Sequence, residues 1–220
     1  MWGRRVVEVP VDGWSGGIGV ARSEITPSMG IYSQNWGAAR EVTARGVHRP
    51  MTATAMSFRG KEAVSPLVLL SLDLGWWRTR KDADDFRRQI GEALTLPEEA
   101  LLIHFTHTHA GPVVSMQCRD QPGGDLIEPY VAGLIKNCIQ LVRQCWEEEI
   151  EAVLTWRYGK CGLAKNRDFR NPDNSEEWLT GFCPDTFADD TLLVGRISNS
   201  DGVIKGTIIN YACHPTTLAW

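Results

Sequence analysis

With 220 residues, a formal net charge of −4 and charges of both signs interspersed, the chain is long enough for one sizeable core and lacks the basic stripe that phosphate recognition needs. Nucleic acid is therefore not an expected partner. No run reaches the ~20 apolar residues of a membrane span, because "PLVLLSLDLGWW" is interrupted by Asp73, and "MWGRRVVEVPVDGWSGG" lacks the ~7 to 15-residue apolar core of a signal peptide. A soluble, cytoplasmic chain is expected. Its six cysteines, at 118, 138, 145, 161, 183 and 213, form no C-x-x-C pair and read as free thiols suited to a reducing compartment.

In chain order, "GGIGVARSEITP" places Ile18, Val20 and Ile25 ahead of Pro27 and predicts a strand ending in a turn. "VHRPMTATAMSF" alternates Met51, Ala53 and Ala55 with threonines and predicts a second strand. "SPLVLLSLDL" is an apolar run with few polar breaks, the pattern of a strand covered on both faces. In "TRKDADDFRRQIGEAL", Phe86, Ile90, Ala93 and Leu94 fall on one helical face, and the helix must stop before Pro97. "LLIHFTHTHAGP" predicts another buried strand, running through the histidines to a Gly-Pro stop, and "EPYVAGLIKNCIQLVRQCWEEE" a longer amphipathic helix with Pro129 in its first turn.

"EIEAVLTWRYGK" alternates Ile150, Ala152, Leu154, Trp156 and Tyr158 against polar neighbours, as a half-exposed antiparallel strand does. Residues 165–190 are rich in Asn, Asp, Pro and Gly without a period and predict a long loop. "TLLVGRIS", the turn "NSDG" and "VIKGTIINYACHP" predict a hairpin, after which "HPTTLAW" runs to the end of the chain. The sum is an α/β fold of mixed β-sheets layered with covering helices, expected as a single domain over 1–220 and incomplete at its C-terminal end.

Chemistry concentrates in "LLIHFTHTHAGP", which holds three of the five histidines. On this strand His107 and His109 share one face at a Cα spacing of ~7 Å, while His104 points to the other. An H-x-H pair before a Gly-Pro turn is either a metal-ligating pair or two rings satisfied by local hydrogen bonds; His104 reads as structural. His214 precedes Pro215, which favours extended backbone and makes it a candidate third imidazole. Arg167, in "LAKNRDFRNP", offers a donor fork for a carbonyl, carboxylate or phosphate, or else a surface ion pair. His48, in "RGVHRP", sits in a turn-like context before a strand. Trp76, Trp77 and Arg78 read as core, as a lid over the site, or as a membrane-facing rim giving peripheral membrane contact.

Taken together and in order, "GVARSEITPSMGIY", "ARGVHRPMTATAMSF", "FTHTHAGP", "AKNRDFRNP" and "ISNSDGVIKGTIINYACHPTTL" resemble the amino-terminal part of the neutral/alkaline non-lysosomal ceramidase family. The resemblance runs from about Gly19 to Leu218. It implies zinc held by His107 and His214, with His109 beside the reacting carbonyl and Arg167 and His48 lining the substrate pocket. The implied substrate is a small-molecule N-acyl lipid or amide, and the implied reaction is ceramidase-like amide hydrolysis, in which zinc polarises the carbonyl and activates water.

The chain also departs from the family pattern. Ala110 stands where the family has serine, Glu24 stands where it has aspartate, and "MTATA" replaces its R-x-A-R-A. The family's further zinc ligands, a glutamate and a tyrosine, are expected beyond Trp220, so the 220-residue chain alone is expected to turn over little. Two other readings remain open. A different metallohydrolase is one, although Gly111 and Pro112 occupy the Asp and His positions of the H-x-H-x-D-H pattern. A non-catalytic domain that keeps the fold is the other.

Overall fold

A computed structural model describes residues 13–37 and 39–214. The expectations placed on the stretch before Gly13 and on the terminal "PTTLAW" lie outside the described residues. Two units emerge, Gly16–Glu151 forming one and Ala152–His214 most of the other.

The first unit is built on strands β1 (Trp14–Glu24), β2 (Thr52–Arg59), β3 (Leu67–Leu72) and β4 (Leu101–Phe105), with helices α1 (Arg80–Leu94) and α2 (Ile127–Glu147). The first three strands run antiparallel to their neighbours, and β4 pairs parallel with β3 through the intervening α1. A parallel pair needs such a crossover, which is why the helix falls between these two strands.

Small side chains decide how closely α2 packs. Gly19, Ala21, Ala53, Ala55 and Ser57 are all small and buried, and a Cβ on Gly19 would stand 1.8 Å from the Cys145 carbonyl oxygen. The Cys145 thiol settles into the space, 3.5 Å from both the Ala55 carbonyl oxygen and the Ser57 hydroxyl. Larger residues fill the rest of the layer: Val68, Leu70 and Leu72 from β3, Phe86, Ile90 and Leu94 from α1, and Leu134, Leu141 and Val142 from α2. The helical face expected for α1 is buried except at Ala93, which is exposed.

The cover expected over both faces of β3 is only partial. Val68, Leu70 and Leu72 are buried, but Leu69 and Ser71 are half-buried and Leu67 is 48% exposed. A continuous apolar run reports hydrophobicity, and it cannot tell a strand packed on two faces from one packed on a single face.

Capping fixes the ends of α1. The Thr79 hydroxyl accepts the Asp82 amide at 3.0 Å and donates to the Asp82 carboxylate at 2.7 Å, while Thr95 closes the far end in a left-handed conformation, φ 54°. On the surface of α1, Arg80–Asp84, Lys81–Asp85 and Arg88–Glu92 pair one turn apart. The start of α2 is tied to β1 by the Tyr130 hydroxyl, which donates to the Ile25 carbonyl at 2.7 Å. Burial holds that phenol protonated well above the ordinary tyrosine range.

The second unit carries β5 (Ile150–Lys160), β8 (Thr191–Asn199) and β9 (Ile204–Tyr211) as an antiparallel set in which β8 is central. Between β5 and β8, residues 165–190 are not wholly irregular as expected: β6 (Asp168–Arg170) and β7 (Trp178–Thr180) form a short antiparallel pair. Three pairs per strand are too few to show as periodicity in the sequence. The expected β8–β9 hairpin forms, with its turn at residues 200–203 and a register shift at Ile197/Ser198.

The architecture is α/β, mixed sheet with helical cover. Among the described residues, no helix is long and apolar enough to cross a membrane. All six cysteines are free thiols: Cys138 and Cys145 are buried, Cys213 is exposed and the others lie between.

Candidate functional site

The first unit presents its histidine pair at the carboxyl end of the parallel strands β3 and β4. This is where open α/β sheets gather ligand-binding groups, because the chain must leave both strands there in loops. β4 ends at Phe105, two residues before the pair, so the expectation that strand alternation puts His107 and His109 on one face does not hold. The backbone stays alongside β3 for a little longer, with the Thr106 and Thr108 amides donating to the carbonyls of Leu72 and Leu74 at 3.0 and 3.2 Å. At His107 it turns left-handed, φ 61°.

That turn brings the rings together by another route. The centroids of His107 and His109 lie 5.1 Å apart with planes at 82°, and both side chains are half-buried. A left-handed histidine pays for its Cβ against the following carbonyl, and such strain is typical of positions where function dictates the backbone. The next residues hold the loop in place: the Ala110 amide donates to the Thr108 hydroxyl at 3.2 Å, and the Val113 amide to the Tyr32 carbonyl at 3.0 Å. Further on, the buried Ser115 hydroxyl donates to Asp82 at 2.7 Å, anchoring the loop exit to the first turn of α1.

Two tryptophans surround the pair, and one of them was not among the candidates. Trp36 meets His109 edge-on at 4.9 Å, and Trp76 lies 5.3 Å from His107 and 5.4 Å from His109. Trp77, its neighbour in sequence, takes the core position instead, packed on Phe86 and Phe105 at 5.2 and 4.6 Å. The Trp76-Trp77 pair is legible in the sequence as a candidate lid or core; which ring goes which way depends on the bend after β3. Trp36 carried no signal beyond being aromatic.

The other candidates occupy varied settings. His104 is exposed on β4, its Nδ1 3.1 Å from the Ser71 hydroxyl on the adjacent strand, consistent with the structural role expected of it. His48 stands exposed on a bend ahead of β2. In the second unit, Arg167 is exposed just before β6, and its carbonyl accepts the Gly181 amide at 2.9 Å. Asn166 beside it bonds both ways, its side-chain oxygen to the Asp168 amide at 2.9 Å and its carbonyl to the Cys183 amide at 3.1 Å. These bonds fold the loop around Arg167 without engaging its guanidinium. His214 follows β9 and is half-buried.

As a donor set, half-shielded imidazoles suit a borderline divalent ion such as zinc, which selects nitrogen ligands and loses less to competing water at such positions. Two imidazoles are short of the usual three or four protein ligands, so the pair fits a metal as part of a larger set.

An α/β unit with a histidine loop at the carboxyl end of a parallel pair is the class of structure defined here. No family model matches the sequence, and no curated protein matches it. Solved structures share its fold. A ceramidase complexed with C2 aligns at a TM-score of 0.65 and 18% identity, over 88% of this chain and 30% of that one. The neutral ceramidase from Pseudomonas aeruginosa aligns at 0.62 and 17%, over 88% of this chain and 31% of that one. The fold is thus shared with neutral ceramidases, of whose length the chain spans about 30%.

Proposed function

We propose that the chain carries part of the site of a ceramidase-like, zinc-dependent hydrolase of N-acyl amides. The observation that carries this reading is the strained His-Thr-His loop at the carboxyl end of β3 and β4, in a fold shared with ceramidases. In this reading His107 and His214 would hold the ion, and His109 would stand on the side of the reacting carbonyl without ligating it. Arg167 and His48 engage polar groups of the substrate, a small-molecule N-acyl lipid whose chain gives the protein reason to meet a membrane surface.

A bound zinc ion would act as a Lewis acid on the amide carbonyl and make water nucleophilic at neutral pH. His109 would move a proton or donate a hydrogen bond to the carbonyl oxygen as it gains charge, a role worth on the order of 10² to 10⁴ in rate for such groups. The Arg167 fork orients a substrate carbonyl or hydroxyl. The aromatic rings around the pair keep bulk water from the imidazoles.

The test is zinc binding by equilibrium dialysis, together with fatty-acid release from short-chain N-acyl substrates with and without added zinc. The reading expects stoichiometric zinc that His107→Ala and His214→Ala each weaken by at least ~10-fold, and any acid release to require zinc. Zinc held equally well by His107→Ala, or acid release indifferent to zinc, overturns it.

A further inference from the structure

Trp76 touches both histidines, and Arg78 in turn touches Trp76. The guanidinium carbon of Arg78 sits 5.1 Å from the Trp76 ring centroid, and its Nη2 donates to the carbonyls of Gln34 at 3.3 Å and Asn35 at 3.2 Å. One side chain therefore ties the segment leaving β3 to the segment that carries Trp36, the ring set edge-on against His109.

Close backbone packing lies behind this tie. Asn35 is 1% exposed, and a Cβ on Gly75 would stand 2.5 Å from the Asn35 side-chain Nδ2 and 3.2 Å from the Thr108 carbonyl oxygen. Gly75 thus lets three segments meet: the one before Trp36, the one before Trp76 and the histidine loop itself.

We propose that Trp76, locked by Arg78 and joined by Trp36, is a clamp that fixes the ring orientations of His107 and His109 before any ligand arrives. Trp36, Trp76 and Arg78 are then positioning residues, acting through the imidazoles and not on the ligand. The physical reason is preorganisation. A histidine on a loop has two rotatable side-chain bonds, and a ring wedged between aromatic neighbours has already given up that freedom, so binding does not have to remove it.

Edge-on and tilted contacts at 4.9 to 5.4 Å are in the range where aromatic rings attract one another with a preferred geometry, so the clamp selects an orientation as well as filling space. Arginine is suited to lock it, because its flat guanidinium can stack on an indole while its edge donates to two carbonyls. A lysine ammonium offers no such plane.

The proposal rests on the metal reading only for what the pair binds; the clamp concerns the pair alone. Two measurements keep these separate. The first is the NMR shifts of the His107 and His109 ring protons without metal, which report the ring currents of Trp36 and Trp76. The second is zinc affinity. In Trp76→Leu and Arg78→Ala the histidine shifts are expected to move toward those of a free imidazole, and zinc binding to weaken by ~10- to 100-fold. Trp76→Phe should restore most of both, and Arg78→Lys should behave like Arg78→Ala.

Altered shifts in Arg78→Lys, whose exposed position makes misfolding no explanation, support the clamp even if Trp76→Leu fails to fold. Unchanged histidine shifts in Arg78→Ala and Arg78→Lys overturn it, whether or not zinc binds. Shifted rings in a wild-type protein that binds no zinc leave the clamp standing and overturn the metal reading instead.

Discussion

His107 is the residue on which backbone and chemistry pull in different directions. Its φ of 61° is a conformation glycine takes freely and other residues take at a cost of about 1–2 kcal/mol. A side chain kept there at such a cost needs a reason, and the imidazole is the reason proposed above. His107→Gly should therefore be more stable than His107→Ala by about 1 kcal/mol in urea unfolding, since both lose the ring but only glycine is relieved of the Cβ. Equal stabilities would show that the loop relaxes and stores no strain. The sequence made His107 and His109 visible as a pair, but it derived their proximity from a strand that stops at Phe105. The pairing was legible because H-x-H is a local pattern. The turn that achieves it was not, because nothing in "FTHTHAGP" marks a non-glycine residue for left-handed backbone.

Among the elements, α2 and the strands beneath it show how a sequence encodes distance. Amphipathic spacing announces that a helix of this length exists and which stripe it buries, and the stripe holding Leu134, Cys138, Leu141, Val142 and Cys145 is buried. How near it comes to the sheet is decided by what is missing from the partner surface. Gly19→Ala should cost about 3 kcal/mol or more, because the added methyl meets a helix carbonyl at 1.8 Å and neither backbone can swing aside as a side chain would. Chemical denaturation of the variant checks this, and a cost under 1 kcal/mol would mean that α2 shifts outward easily. The glycines of "GGIG" could not be read this way beforehand, since a glycine in a strand equally signals a bulge or a plain weak position.

Across the molecule, the first unit places ionisable groups in its core and keeps them neutral. Burial on the core-facing side of α2 pushes the Cys138 thiol from its ordinary 9.0 up to about 12, and it raises Cys145 in the same direction. The sign of the consequence follows from linkage. Below pH 9 the thiol is protonated folded or unfolded, whereas between 9 and about 12 only the unfolded chain releases the proton, so stability falls as pH rises through that window. Urea unfolding at pH 8 and pH 10 should show the drop, and Cys138→Ala should flatten it; a profile identical in the two proteins would assign the loss to other groups. Cys161 in the second unit is the opposite case. An amide hydrogen bond from Leu163 and the Tyr211 hydroxyl favour its thiolate and lower its pKa.

Periodicity and composition were enough to place nearly every long element. The alternation of β5, the heptad-like spacing of α1 and α2 and the hairpin of β8 and β9 are local properties, set by which side of a strand or helix must leave water. Local patterns also isolated the histidines at 107, 109 and 214 as the chemistry worth following. What they could not carry is anything that depends on a meeting of distant segments. The single-faced cover of β3, the short β6–β7 pair, the choice of Trp76 over Trp77 to face the histidines, and the Arg78 tie to Gln34 and Asn35 all arise from contacts made after the chain has folded back on itself. Side-chain identity states what a residue can bind, and only tertiary packing brings it within reach of a partner and holds it at the angle where binding costs least.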